Sequence, residues 1–205
     1  RRLDRRAFPA LRAGVVAAAS ETLFARLWRQ RRLLGVLGFL AVLFAAAEIS
    51  GLREHFSLAF LRGELAAHPV TGLATYALLF VLGNLIQIPG WIFLAAAVLT
   101  LGRIGGGLTT YVAATLACCV TYFTVRFLGG DALRQLKSPL AHRLLARLDA
   151  HPLSSIFLLR LCFQTLPALN VALALSGIGF WTYLLGTLIG LPLPIAGYCL
   201  FFDAL

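Results

Sequence analysis

The chain has 205 residues, of which 60% are hydrophobic and 13% charged, with a mean hydropathy of +0.88 and a formal net charge of +10. A soluble domain carries about 25% charged residues, so the composition excludes a soluble globular fold and predicts one integral membrane domain. Apolar residues run continuously instead of alternating, which excludes a membrane β-barrel.

Residues 1–32 hold nine of the seventeen arginines and predict a basic cytoplasmic leader. Its second half, 15–32, places Leu23, Phe24, Leu27 and Trp28 on one side of an amphipathic surface helix. Arginines flanking apolar spans obey the positive-inside rule, so the charge points to anionic headgroups and argues against nucleic acid. Residues 33–49 predict a first span ending near Glu48. In residues 50–69 the charges of Arg53, Glu54, Arg62 and Glu64 cancel, which predicts a loop or interfacial helix.

Residues 70–101 are apolar but broken at Ile88-Pro89-Gly90. Unbroken, they would form a helix about 48 Å long, against a hydrocarbon core of about 30 Å. A re-entrant hairpin is predicted. The run Gly102-Arg103-Ile104-Gly105-Gly106-Gly107 predicts a turn, and 108–128 a full span. Residues 131–150 repeat Leu133, Leu136, Leu140, Leu144, Leu145 and Leu148 at helical spacing among Arg134, Lys137, Arg143 and Arg147. That pattern predicts an amphipathic cytoplasmic surface helix. Residues 153–178, broken at Leu166-Pro167, predict a second re-entrant hairpin, and 180–202 a last span containing Pro192 and Pro194.

Charge then sets the topology. The two basic segments belong on one side of the membrane, so an even number of crossings separates them. Spans 33–49 and 108–128 supply two, and the first hairpin returns to the face it entered. The second hairpin does the same from the opposite face. The predicted fold is therefore an all-α integral membrane protein: an inverted repeat of two re-entrant helical hairpins, each followed by a transmembrane helix, plus an N-terminal span and amphipathic surface helices. The alternative is a pair of proline-kinked spans.

Polar side chains cluster at both breaks: Asn84 and Gln87 at the first, Arg160, Gln164 and Asn170 at the second. Irregular backbone at membrane depth persists only where protein or a wet cavity satisfies it, and paired broken segments point to a transport site. Arg160 has no nearby charge in sequence and costs about 2.5–3.5 kcal/mol in lipid on insertion scales. Its guanidinium fork suits a phosphate. Alternatively it snorkels, or caps carbonyls freed by Pro167. Arg160, Asn170, Gln164, Asn84 and Gln87 are the candidate substrate-binding residues, the amides serving equally well to satisfy freed backbone. Pro89, Gly90, Pro167 and Gly177 are read as architectural. Arg103 and Arg126 read as interface anchors, and Trp91, Trp181, Tyr111 and Tyr122 as belt or packing residues. Cys118, Cys119, Cys162 and Cys199 lack metal-ligand spacing and read as small buried hydrophobes. The histidines are scattered outside the spans, and no nucleophile–base grouping occurs within them. No enzyme activity, metal or cofactor is expected.

The run Leu85-Ile86-Gln87-Ile88-Pro89, with Ala95-Ala96-Ala97 and Gly102 through Gly107, resembles the first signature of the DedA/VTT membrane family, also called SNARE-associated Golgi proteins. Arg160, Pro167, Asn170, Gly177, Phe180 and Gly186-Thr187-Leu188-Ile189-Gly190-Leu191-Pro192 resemble the second. The resemblance covers about residues 70–200 and is closest to the VTT-type branch. It implies two inverted re-entrant hairpins and movement of lipids between leaflets, with phospholipids or a polyprenyl phosphate as partners. The chain departs from the pattern at Phe163, where a proline is usual. Hairpin one also carries amides where narrow DedA proteins have an acid linked to proton coupling. Glu48 is the nearest apolar-flanked acid and the candidate coupling acid; the lack of a carboxylate in hairpin one favours passive scrambling. The expected function is a lipid translocase or scramblase of the bacterial inner membrane with a cytoplasmic N-terminus. The alternatives are a transporter of a small anionic solute or ion, or a non-transporting membrane biogenesis factor.

Overall fold

The structure, a computed structural model, describes residues 31–51, 57–67, 71–135, 139–163 and 166–203. The predicted leader up to residue 30 and Gln164 lie outside the described residues. Among the described residues nine helices run in chain order: α1 Arg31–Ile49, α2 Leu58–Ala67, α3 Thr71–Leu85, α4 Gly90–Gly129, α5 Pro139–Ala150, α6 Pro152–Phe163, α7 Pro167–Leu175, α8 Phe180–Gly190 and α9 Pro192–Asp203, with a 3-10 turn at Ala132–Gln135. No strand occurs among the described residues. Among the described residues three segments are long and apolar enough to cross a membrane: Arg31–Ile49, Gly90–Gly129 and Phe180–Phe202. The chain is an all-α integral membrane protein.

Each break has a local cause. At the end of α3, Ile88 N–H donates to Gly83 O at 2.8 Å and Gln87 N–H to Asn84 O at 3.3 Å. These are the two bonds of a Schellman cap, and Gln87 holds its left-handed position with φ 64°. Pro89 then caps α4 from extended geometry, with φ -60° and ψ 130°. At the second break Leu166 is the extended cap and Pro167 the first residue of α7, where its missing N–H costs nothing.

The glycine run after the first hairpin differs from expectation. Only Gly102 leaves helical geometry, with φ 74° and ψ 174°; residues 103–107 are helical, and the helix continues to Gly129. The predicted span at 108–128 is thus the far part of an arm covering 103–129. Gly102 nevertheless reverses the chain. A side chain at Gly106 would lie 2.5 Å from Val98 N and 2.6 Å from Ala97 O. In a straight helix those residues would stand roughly 12–13 Å apart, so the 90–101 arm folds back onto the 103–129 arm. Only a residue without Cβ fits where the two backbones touch.

The order helix, break, helix, left-handed glycine, span occurs twice. It runs through α3, the 90–101 arm, Gly102 and the 103–129 arm. It then runs through α6, α7, Gly177 (φ 83°) and α8–α9. The predicted single last span is two helices meeting at Leu191, with Pro192 opening the second. The predicted surface helix at 131–150 is a 3-10 turn followed by the shorter α5. The segment 50–69, predicted as a loop or interfacial helix, contains α2.

Two apolar clusters hold the arrangement. In the first, Tyr76, Phe80 and Phe93 pack edge to face or tilted, with Phe80 and Phe93 centroids 4.6 Å apart. Phe93 reaches so far across the hairpin that a Cβ at Gly83 would sit 2.5 Å from its ring. In the second, Val36 of α1 and Leu175 of α7 close over Gly129, while Ile156 of α6 lies against Gly186 of α8. Gly186 and Gly190 form a small-residue stripe that lets α6 approach α8 closely.

Candidate functional site

The backbone reversals bring the first arm of one hairpin against the second arm of the other. Asn84, near the end of α3, accepts at Oδ1 from Asn170 Nδ2 of α7 at 3.1 Å. Its own Nδ2 donates to Thr121 Oγ1 of α4 at 2.6 Å. Asn170 Oδ1 accepts from Cys118 Sγ at 3.3 Å and lies 3.3 Å from the Tyr183 hydroxyl. That hydroxyl has one proton and two acceptors in reach, the second being Cys118 O at 3.2 Å. It also accepts from Arg160 Nη2 at 3.2 Å.

Arg160 completes the series. It is 1% exposed, the largest of the fully buried side chains. Nε and Nη2 donate to Thr187 Oγ1 at 3.1 and 2.9 Å, and the Thr187 hydroxyl donates to Tyr183 O at 2.7 Å. The guanidinium carbon lies 5.5 Å from the Tyr183 ring centre. Among the described residues no carboxylate pairs with this cation, and Nη1 makes no hydrogen bond. A guanidinium stays charged at any physiological pH. Its hydrogen bonds go to the hydroxyls of Thr187 and Tyr183, with the Tyr183 ring and Cys118 beside it.

Asn84, Thr110, Cys118, Arg160 and Asn170 face a common cavity, closed on its apolar side by Phe80 and Trp91, with a volume of about 30 Å³. A water needs roughly 10–15 Å³ measured in this way. The space is large enough for one or two waters and too small for a phospholipid headgroup. Beside it, Tyr76 donates to Phe93 O at 3.0 Å and shares a hydrogen bond with Thr110.

The structure brings together Arg160, Asn170 and Asn84 of the five predicted binding residues. Gln87 is half-buried at the cap, where its amide donates to Asn84 O at 3.3 Å; it does not line the cavity. Gly90 and Pro167 line the cavity wall, so two residues read as architectural also shape the site. Glu48 sits on the exposed last turn of α1, away from the cavity lining. Arg126 donates weakly to Ala174 O and Gly130 O, both at 3.4 Å, capping α7 from the neighbouring arm.

Sequence reading missed Thr121, Tyr183 and Thr187 and gave Cys118 no polar role. Their signal was present as spacing. Thr110, Ala114, Cys118 and Thr121 recur every three or four residues, a small, weakly polar stripe on one face of a helix. Tyr183 and Thr187 are four apart on α8.

The VTT domain family model matches residues 88–204, from the first break through α9, and so includes Arg160, Asn170 and Gly177. No curated protein and no solved structure matches the chain. The matched stretch covers more than half of the chain and both glycine reversals, and the chain belongs to the VTT-domain family, the DedA/SNARE-associated membrane proteins.

Proposed function

We propose that this protein lets phosphate-bearing lipids, phospholipids or a polyprenyl phosphate, pass between leaflets along a polar path where two re-entrant hairpins meet. The observation that carries this reading is the continuous series of buried polar contacts from Thr121 through Asn84, Asn170 and Tyr183 to Arg160. A cation with no described acidic partner at the end of such a series is a ready counter-charge for a phosphate. The re-entrant geometry is supported by helix length. At 1.5 Å per residue α3 is about 22 Å long and α6 about 18 Å, too short to cross a core of about 30 Å.

In this arrangement Asn84 and Asn170 seal the path. Opening separates the two hairpins there, and a headgroup phosphate takes the guanidinium in exchange for Thr187 and Tyr183 while the acyl chains stay in lipid. The path contains no described carboxylate, which favours passive exchange over proton-driven transport and non-enzymatic action over catalysis. The expected setting is a bacterial plasma membrane with the basic leader on the cytoplasmic side.

The cavity volume favours a second reading, a small anionic solute, since about 30 Å³ is nearer to the size of a simple anion than to a headgroup. Vesicles containing the purified protein separate the two. Leaflet exchange of a fluorescent phospholipid that needs Arg160 supports the first. Anion flux that needs Arg160, without lipid exchange, replaces it with the second.

A further inference from the structure

A second concave feature lies outside the polar series. Between α5, α6 and α7 runs an apolar groove of about 570 Å³. Leu144, Leu145 and Leu148 of α5 form one wall, Leu158 and Phe163 of α6 the other, and Leu173 of α7 lies at its base. Leu144, Leu158 and Phe163 are between 47% and 59% exposed. Arg147 also lines the groove. Its guanidinium makes no hydrogen bond or ion pair to the described residues.

The α5 wall is fixed in place. Arg134 grips Asp149 with two hydrogen bonds of 2.9 and 2.5 Å, and the same guanidinium donates through Nε to Ser176 O at 2.7 Å. Thus α5 is tied to the end of α7, and the groove is built into the fold rather than left by a loosely attached helix.

We propose that this groove holds one acyl chain of an anionic phospholipid whose phosphate rests on Arg147. An apolar trough beside Arg147, a cation with no partner among the described residues, matches an amphiphile having a chain and a negative head. Charge argues against the other occupants. The leader within residues 1–30 is rich in arginine and meets Arg143 and Arg147 of like sign. A symmetric second copy would set two Arg147 side chains on one face. The inference concerns a bound lipid and stands whether or not lipid crosses at Arg160.

The test uses the full chain purified in detergent and native mass spectrometry with added phosphatidylglycerol or phosphatidylcholine. One phosphatidylglycerol should be retained at least about 5-fold better than phosphatidylcholine, the ratio equivalent to about 1 kcal/mol per basic residue. Arg147→Glu should abolish that preference. Arg143→Glu carries the same charge change on α5 outside the groove lining, and should leave most of it. Phosphatidylglycerol bearing a photoreactive acyl chain should attach within residues 158–163 and 169–173, and Ala172→Phe should block that attachment. Equal loss in both arginine variants, or attachment scattered over the exposed faces of α1 and α4, overturns the proposal. Cross-links from the groove to residues 1–30, or a lipid-free dimer that Ala172→Phe breaks, overturn it in favour of those occupants.

Discussion

Asn84 and Asn170, 86 residues apart in sequence, meet side chain to side chain at 3.1 Å and join α3 to α7. Each also holds a second partner, Thr121 for Asn84 and Cys118 for Asn170. Truncating either to alanine leaves a buried amide or hydroxyl unpaired and should cost about 1–3 kcal/mol of stability. The double variant should cost less than the sum, with a coupling of about 0.5–3 kcal/mol. Thermal unfolding of the four proteins in one detergent checks this. If the contact also seals the path, both single variants should exchange labelled lipid faster than wild type.

Arg160 should not tolerate lysine. A lysine ammonium cannot reproduce the Nε and Nη2 fork on Thr187 Oγ1. Arg160→Lys and Arg160→Gln should both lower exchange by about tenfold or more, equivalent to about 1.4 kcal/mol of lost phosphate stabilisation. Thr187→Val should have a smaller effect because the charge remains. Initial rates in vesicles of matched protein content decide it, and a fully active Arg160→Gln would make the residue purely structural.

Two of the left-handed positions, Gln87 and Gly177, should respond in opposite directions. Gln87 pays the steric cost of φ 64° at a cap where glycine is favoured, so Gln87→Gly should stabilise by up to about 1 kcal/mol. Gly177 has φ 83°, and an added Cβ would stand 2.4 Å from Arg134 Nε. Gly177→Ala should destabilise by more than about 1 kcal/mol. Combining it with Arg134→Ala should recover the steric part and leave the backbone part. Melting temperatures of the set test both signs.

The Arg134–Asp149 pair gives the acid limb of stability. The hydrogen bond from Arg134 holds the Asp149 carboxyl below its ordinary range. A lowered native pKa means stability that is present above the ordinary carboxylate pKa of about 3.9 and lost as pH falls through the native value. The side chains are 37% and 49% exposed, so the effect should stay below about 1 kcal/mol and shrink in salt. Asp149→Asn should lower stability at pH 7 and flatten its decline between about pH 5 and 3. Unfolding measured at several pH values and two salt concentrations checks it.

Three spans, two breaks and the basic α5 segment were legible because each is encoded locally. Hydropathy over some twenty residues marks a span, a proline removes a donor wherever it stands, and leucines at helical spacing define a face. The glycine run was misread in detail because five of its six residues are compatible with helix, and only Gly102 adopts the reversing conformation. For Gln87 the sequence left backbone satisfaction and binding equally open, because its left-handed backbone and its bond to Asn84 O are invisible in sequence.

By itself the sequence determined a helical membrane domain, where its helices break, and that a lone arginine and several amides lie near those breaks. Only the tertiary structure decided which of them meet. Tyr183 reaches Cys118 O across 65 residues and Asn84 reaches Asn170 across 86. Such contacts depend on how Gly102 and Gly177 redirect whole helices and how closely Gly106, Gly186 and Gly190 let those helices approach. Helix crossing is set by packing between distant segments, and no local propensity carries that information.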